Sequence, residues 1–190
     1  MRELVFLLEE RSAQALLESL LPRLLPPELP YRLIPFEGKQ DLEKQLTRRI
    51  RGYLNDEARF VVLRDQDSAP DCKVVKRRLL ALCAASGRGH DCLVRIACRE
   101  LETIYLAYLQ AVEQALSTRG LAKQQGSRKF RAPDQLESPS RELRVLTKQN
   151  YEKVAGSRAI GQYLDLANER SATFRHLVGG IRRMAASDAP

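Results

Sequence analysis

The stretch Phe60-Val61-Val62-Leu63-Arg64-Asp65-Gln66-Asp67-Ser68 decides how the chain is read. Four consecutive large apolar residues, led by an aromatic and two valines, predict a strand buried on both faces. The run ends in two carboxylates one residue apart, Asp65 and Asp67. In an open parallel sheet the C-terminal edge of the strands is where ligands bind. An Asp-x-Asp there aims two hard oxygen donors at one cation. Mg²⁺ takes such a site, with few carboxylates and with water and substrate phosphate completing the octahedron. The competing reading is that the pair caps the next helix and solvates a turn.

Working outward, Leu4-Val5-Phe6-Leu7-Leu8 is a second unbroken apolar run, and it ends at Glu9-Glu10. It predicts the first strand. Ser12 offers an N-cap, and Leu16, Leu17, Leu20, Leu21 and Leu24 follow at helical spacing, so a helix is expected over residues 12–25. Residues 26–30, with three prolines, stop it. Residues 31–36 read as a second strand, which Pro35 sends to an edge. After Gly38, Leu42, Leu46, Ile50 and Tyr53 mark a second helix, with Arg48, Arg49 and Arg51 mostly on its wet side. A third helix is expected over residues 71–85 and a fourth strand over residues 92–97, followed by Glu100 and Glu102. Leu101, Tyr105, Tyr108, Leu109, Val112 and Leu116 describe a fourth helix that ends at Gly120. Strand and helix thus alternate four times. The expected class is α/β, a mostly parallel four-stranded sheet with helices on both faces.

Beyond Gly120 the pattern changes. Residues 123–140 are polar, basic and broken by Gly126, Pro133 and Pro139. A short helix is expected over residues 142–147 behind a Ser140 cap, a hinge at Gly156-Ser157, a helix over 174–184 weakened by Gly179-Gly180, and a frayed tail over 185–190. The domain reading is an α/β domain over 1–119 and a basic, partly helical appendage over 120–190, packed on that domain.

Composition narrows the function. The chain has 190 residues and a net charge of +8, which suits a polyanionic partner. No run of eighteen apolar residues and no cleavage-site pattern occur, so neither a membrane span nor a signal peptide is expected. Cys72, Cys83, Cys92 and Cys98 form no Cys-x-x-Cys, and neither His90 nor His176 stands at zinc spacing from them. They read as small buried hydrophobes of a cytoplasmic protein. No Gly-x-x-x-x-Gly-Lys loop is present, and two histidines leave no arguable nucleophile triad.

Three apolar strands that each end in carboxylate say more than any one of them. In a parallel sheet Glu9, Asp65, Asp67 and one of Glu100 or Glu102 converge at one rim. Such a cluster repels itself unless a cation neutralises it, so Mg²⁺ or Mn²⁺ is expected. Glu9, on a different strand from the Asp pair, is the candidate for proton transfer. The basic residues Lys123, Arg128, Lys129 and Arg131 could contact phosphates while Phe130 stacks a base, or form a solvated basic loop. Arg158 and Arg175 could hold a phosphate, or pair with acids of the sheet domain.

The order strand–Glu9, then strand–Asp65-Gln66-Asp67, resembles the TOPRIM domain of topoisomerases, primases and overcoming-lysogenisation-defect nucleases, over about the first 115 residues. The whole chain is similar to a bacterial family, domain of unknown function family 4276, held to be TOPRIM-like. Leu8-Glu9-Glu10 with Ser12, Phe36-Glu37-Gly38-Lys39, Arg64-Asp65-Gln66-Asp67-Ser68, Arg99-Glu100-Leu101-Glu102, Leu121-Ala122-Lys123-Gln124, Ser138-Pro139-Ser140-Arg141, Ser157-Arg158-Ala159-Ile160 and residues 171–176 carry that resemblance. It implies metal-dependent phosphoryl transfer on nucleic acid, with Glu9 as general acid or base and the Asp pair on Mg²⁺. It also implies service in phage defence or DNA repair, beside a partner ATPase. The chain departs from the TOPRIM pattern at Glu10, where glycine is usual, and at Ala13, where the nuclease branch often has a second acid. One metal is therefore expected rather than two. The alternatives are a non-catalytic nucleic-acid-binding module and a receiver-like regulator with Asp65 as phosphate acceptor.

Overall fold

The two unbroken apolar runs lie side by side as the inner strands of one sheet. β1 (Glu3–Leu8) pairs with β3 (Ala58–Asp65), Leu8 opposite Leu63. β2 (Tyr31–Pro35) flanks β1, and β4 (Cys92–Ala97) flanks β3, with Asp65 opposite Ala97. The order is β2-β1-β3-β4 and every pairing is parallel, as an α/β chain of alternating elements requires. Pro35 does fall on an edge strand, where its missing N–H breaks no ladder. The computed structural model describes residues 1–186.

The strand period of two sorts the apolar residues into two cores. Leu4, Phe6 and Leu8 with Val61 and Leu63 face α1 (Arg11–Leu24), where Leu16, Leu17, Leu20 and Leu21 close over them. Val5, Leu7, Phe60 and Val62 face the opposite way, to Leu42, Leu46 and Ile50 of α2 (Lys39–Arg51) and Val75 and Leu79 of α3 (Cys72–Ala85). Ser12 sits inside α1, not at its cap. Glu10 is the capping position, and Ser12 Oγ donates to Glu10 Oε1 at 2.6 Å.

The expected fourth helix is two short ones, α4 (Thr103–Leu106) and α5 (Leu109–Ala115). The buried Gln125 explains the break. Its Oε1 accepts from Leu109 N at 2.7 Å, and its Nε2 donates to Leu106 O and Phe130 O. A side chain thus satisfies backbone groups that a continuous helix would have paired. Next, α6 (Pro139–Leu146) starts from Ser138 rather than Ser140, with Pro139 in the first turn, where a missing N–H does no harm.

The expected hinge at Gly156-Ser157 lies within a helix, α7 (Lys153–Gly161), and both residues are buried. These glycines serve close packing. A Cβ on Gly156 would meet the Tyr151 ring at 2.5 Å, and one on Gly161 would meet Ser19 of α1 at 2.9 Å. α8 (Ala172–Ala186) packs on β4 and takes in Ala185 and Ala186, while the rest of the expected tail, 187–190, lies outside the described residues. Tyr151, Ile160, Leu164, Phe174, Leu177 and Ile181 join the α1-side core, so the chain after residue 120 closes that face of the sheet. Of the four free cysteines only Cys83 is buried; Cys72, Cys92 and Cys98 are half-buried. No helix among the described residues is long and apolar enough to cross a membrane.

Candidate functional site

From β1 the sheet grows outward to β2, and from β3 it grows the other way to β4. The β1-to-β2 and β3-to-β4 connections thus run to opposite sides, and this switch between β1 and β3 opens a crevice at their carboxyl ends. Glu9 leaves β1 on one side of this switch point and Asp65 ends β3 on the other. Glu9 N donates to Leu63 O at 3.1 Å, and Asp65 N donates to Glu9 Oε2 at 2.9 Å. Glu9 is thus fixed by the neighbouring strand's backbone. Burial pushes its carboxyl above the ordinary range; the Asp65 amide works against that shift and the Asp67 charge with it. Arg64 Nε stands 3.9 Å from Glu9 Oε2, and the guanidinium also engages Glu43 of α2.

Asp65 shares the parity of Val61 and Leu63, so it faces the α1 and α7 layer. It is 9 % exposed. Burial first, then the charges of Glu102, Glu9 and Glu10, hold its carboxyl well above the usual range. Glu102, at 1 % exposed, is raised by burial as well. Its Oε1 accepts from Tyr151 Oη at 3.0 Å, but its Oε2 has no hydrogen-bond partner. The Tyr105 hydroxyl, fully buried in the same acidic surroundings, also lacks one. Lys153, at the start of α7, is the cation here: its Nζ lies 2.6 Å from Glu10 Oε1. Burial opposes the Lys153 charge. The Glu10 hydrogen bond and the charges of Glu102, Glu10 and Asp65 outweigh it, and its ammonium holds its proton above the usual value.

Asp67 and Glu100 stand on the outer side of the rim. Both Asp67 (φ 54°) and Arg99 (φ 58°) adopt the left-handed conformation that non-glycine residues rarely take. They are joined: Asp67 N donates to Arg99 O at 2.7 Å. The buried Gln66 clasps the same two loops, donating its N–H to Ala97 O and accepting from Arg99 N at its Oε1. Lys39 Nζ holds Asp67 Oδ2 at 3.0 Å, and Glu100 Oε2 accepts from Ser140 N at 2.7 Å. Lys39, Asp67, Arg99, Glu100 and Ser138 line an open cleft of about 630 Å³. The two acids after β4 therefore divide: Glu102 turns inward toward Asp65, and Glu100 lines the outer cleft.

Among the described residues no group of three or more His, Cys, Asp or Glu is arranged to hold a metal ion. Four of the five carboxylates have a protein partner: Glu9 the Asp65 amide, Asp67 Lys39, Glu100 the Ser140 amide, Glu102 Tyr151. The chemistry of the donors nevertheless suits a hard divalent cation. All are carboxylate oxygens, the inner acids lie where burial disfavours their charge, and Glu102 Oε2 is a buried oxygen without a partner. Bringing Asp67 into a common shell with Asp65 and Glu9 means exchanging Lys39 for the ion.

None of the basic residues singled out in the sequence is among those that line the outer cleft. Lys123, Arg128, Lys129 and Arg131 are exposed on the segment after α5, and Lys129 pairs with Glu142 at 2.5 Å. Phe130, between them, is only 4 % exposed and packs in the α1-side core, so it is not available to stack a base. Arg158 grips Glu18, partway along α1, through Nε and Nη2 at 3.2 and 2.6 Å. Arg175 and His176 are exposed on α8. Sequence reasoning missed Lys39, Arg64, Tyr105, Tyr151 and Lys153 as members of the site. Glu10 and Lys39 adjoin residues already singled out, but nothing in the local sequence marks Tyr151 or Lys153, because the packing of α7 on α1 puts them there.

Comparison with curated proteins and with solved structures finds no match. A family model described as "Domain of unknown function (DUF4276)" matches residues 8–182, from the end of β1 into α8, and the chain belongs to that family.

Proposed function

We propose that this rim carries out Mg²⁺- or Mn²⁺-dependent phosphoryl transfer on nucleic acid in the manner of a TOPRIM nuclease. The observation that carries the reading is the pairing of Glu9 and Asp65 across the switch point, with Asp67 two residues on. Asp65, Asp67 and Glu102 would hold the ion; once bound, it supplies charge neutralisation for the phosphodiester and acidifies a water. Glu9 holds its proton more tightly than an ordinary carboxylate and has a fixed orientation, both of which suit a group that gives and takes a proton. Arg64 steadies Glu9 from the α2 side. Lys39 and Arg99, at the cleft beside Asp67, supply positive charge for a phosphate. Phage defence or DNA repair, beside an ATPase supplied by another chain, is the setting proposed for this chemistry.

The test is incubation with supercoiled DNA, single-stranded DNA and RNA, with Mg²⁺ or Mn²⁺ and with chelator, beside Asp65→Ala and Glu9→Gln. Metal-dependent cutting lost in both variants supports the reading; no cutting by the wild type under any of these conditions contradicts it. One observation favours a second reading, a receiver-like regulator: the Lys153 charge acts on Asp65, and Glu9 and Glu10 stand beside that acid. Acetyl-phosphate labelling that is lost in Asp65→Asn supports that alternative.

A further inference from the structure

A run of cations without ion pairs lies away from both the rim and the basic segment after α5. On α2, Leu42, Leu46 and Ile50 are buried, which turns Lys44, Arg48 and Arg51 outward as one stripe at i, i+4 and i+7. On α3, Val75, Leu79 and Cys83 are buried, and Lys73 and Arg77 turn outward. The two helices pack side by side: Arg51 donates to Ala85 O, Thr47 Oγ1 donates to Leu82 O, and Arg78 pairs with Glu43 at 2.6 Å. The stripes therefore form one continuous layer. α3 contains no acid. Glu43 is taken up by Arg64 and Arg78, and Asp41 by Gln45 and the Glu37 amide. None of the five outward cations makes an ion pair among the described residues, whereas Lys129, Lys153 and Arg158 each pair with an acid.

Position adds to charge. Both helices begin at the C-terminal rim of the sheet, α2 at Lys39, whose ammonium holds Asp67. The cationic layer thus starts at the outer cleft and runs down the outside of the molecule. Thirteen residues of α2 cover about 20 Å at roughly 1.5 Å per residue. Over that length a duplex presents on the order of ten phosphates. Fixed cations on two rigid helices match such a rod better than they match one compact anion.

We infer that the α2–α3 outer layer is the nucleic-acid-binding surface of this protein, a track for the phosphate backbone that leads to the Asp67 cleft. The inference rests on the nucleic-acid reading above but not on catalysis. Its test is fluorescence anisotropy of the full chain with short labelled duplex DNA, single-stranded DNA and matched RNA, in chelator so that nothing is cut, over a salt series. The variants are Lys44→Glu/Arg48→Glu/Arg51→Glu, Lys73→Glu/Arg77→Glu, the same positions changed to Gln, and the comparator Lys123→Glu/Arg128→Glu/Arg131→Glu. All are checked for native thermal unfolding, and the Gln set preserves the test if charge reversal disturbs folding. The expected result is binding about tenfold or more weaker in the α2 and α3 sets, with the salt slope flattened by about one for each phosphate contact removed. The comparator is expected to change binding less than about threefold. The inference is overturned if the wild type binds no nucleic acid, if the comparator carries the loss, or if anionic phospholipid vesicles bind this face in preference to nucleic acid. Binding through this face without metal-dependent cutting would sink the catalytic proposal and leave this one standing. Cutting with binding indifferent to these cations would do the reverse.

Discussion

The two faces of the sheet handle charge in opposite ways. On the α2–α3 side, Arg64 turns its guanidinium to Glu43 and Glu9, and the surplus cations stay in water. On the α1–α7 side, Asp65 and Glu102 are buried with one lysine among several acids. Neighbouring residues of one strand, Arg64 and Asp65, serve the two sides, because successive side chains of a strand alternate. A purely structural rim would balance its buried charge, since uncompensated buried carboxylates destabilise a fold. Burial here favours the protonated acids, and the proposed cation is what would let them ionise together.

The largest test of that contrast is catalytic. Asp65→Ala and Glu9→Gln should each lower metal-dependent cutting by about 10²–10⁴-fold, read by the nuclease assay. Next comes packing. Gly156→Ala puts a methyl into the Tyr151 ring and so disturbs the Glu102 partner. It should destabilise the protein by about 1–3 kcal/mol, read by denaturant unfolding.

How much of this was legible in the sequence follows from the same contrast. The strands and the first three helices could be read because each is one apolar period long and local: 4–8 and 60–63 as unbroken runs, 42–46–50–53 as a helical stripe. Glu9, Asp65 and Asp67 could be placed at one rim because parallel pairing fixes where strand ends fall. The break between α4 and α5 was not legible. It depends on Gln125, a polar residue some sixteen positions beyond Leu109, reaching back to the backbone. The α7 helix was hidden by Gly156, which with Ser157 read as a hinge but is where helix and ring touch. Lys153 and Tyr151 were lost with it. The basic run 123–131 drew attention by composition, yet its aromatic is buried and one of its lysines is paired.

Smaller effects sharpen the comparison. Asp65→Asn removes a buried charge and should raise the unfolding midpoint of metal-free protein by about 2–4 °C. The pH dependence has a definite sign. Glu9, Asp65 and Glu102 all hold protons to higher pH in the fold than their ordinary values. The stability this gives is full below the ordinary carboxylate range and is lost as pH rises through the raised values. As pH rises above the ordinary carboxylate range the wild type should therefore lose more stability than Asp65→Asn does, and added Mg²⁺ should narrow that gap. Calorimetry across a pH series, with and without chelator, reads both. The smallest effect belongs to the cationic face: Arg78 is exposed and Glu43 keeps Arg64, so Arg78→Ala should cost about 0.5 kcal/mol or less.

The most direct measurement is the anomalous difference map of a crystal soaked in Mn²⁺. The account predicts an ion between the ends of β1 and β3, about 2.1 Å from a carboxylate oxygen of Asp65, with Asp67, Glu9 or Glu102 completing the protein's share of the shell. An ordered rim in which Asp67 stays on Lys39, Glu9 stays on the Asp65 amide and no ion lies near Asp65 would contradict it.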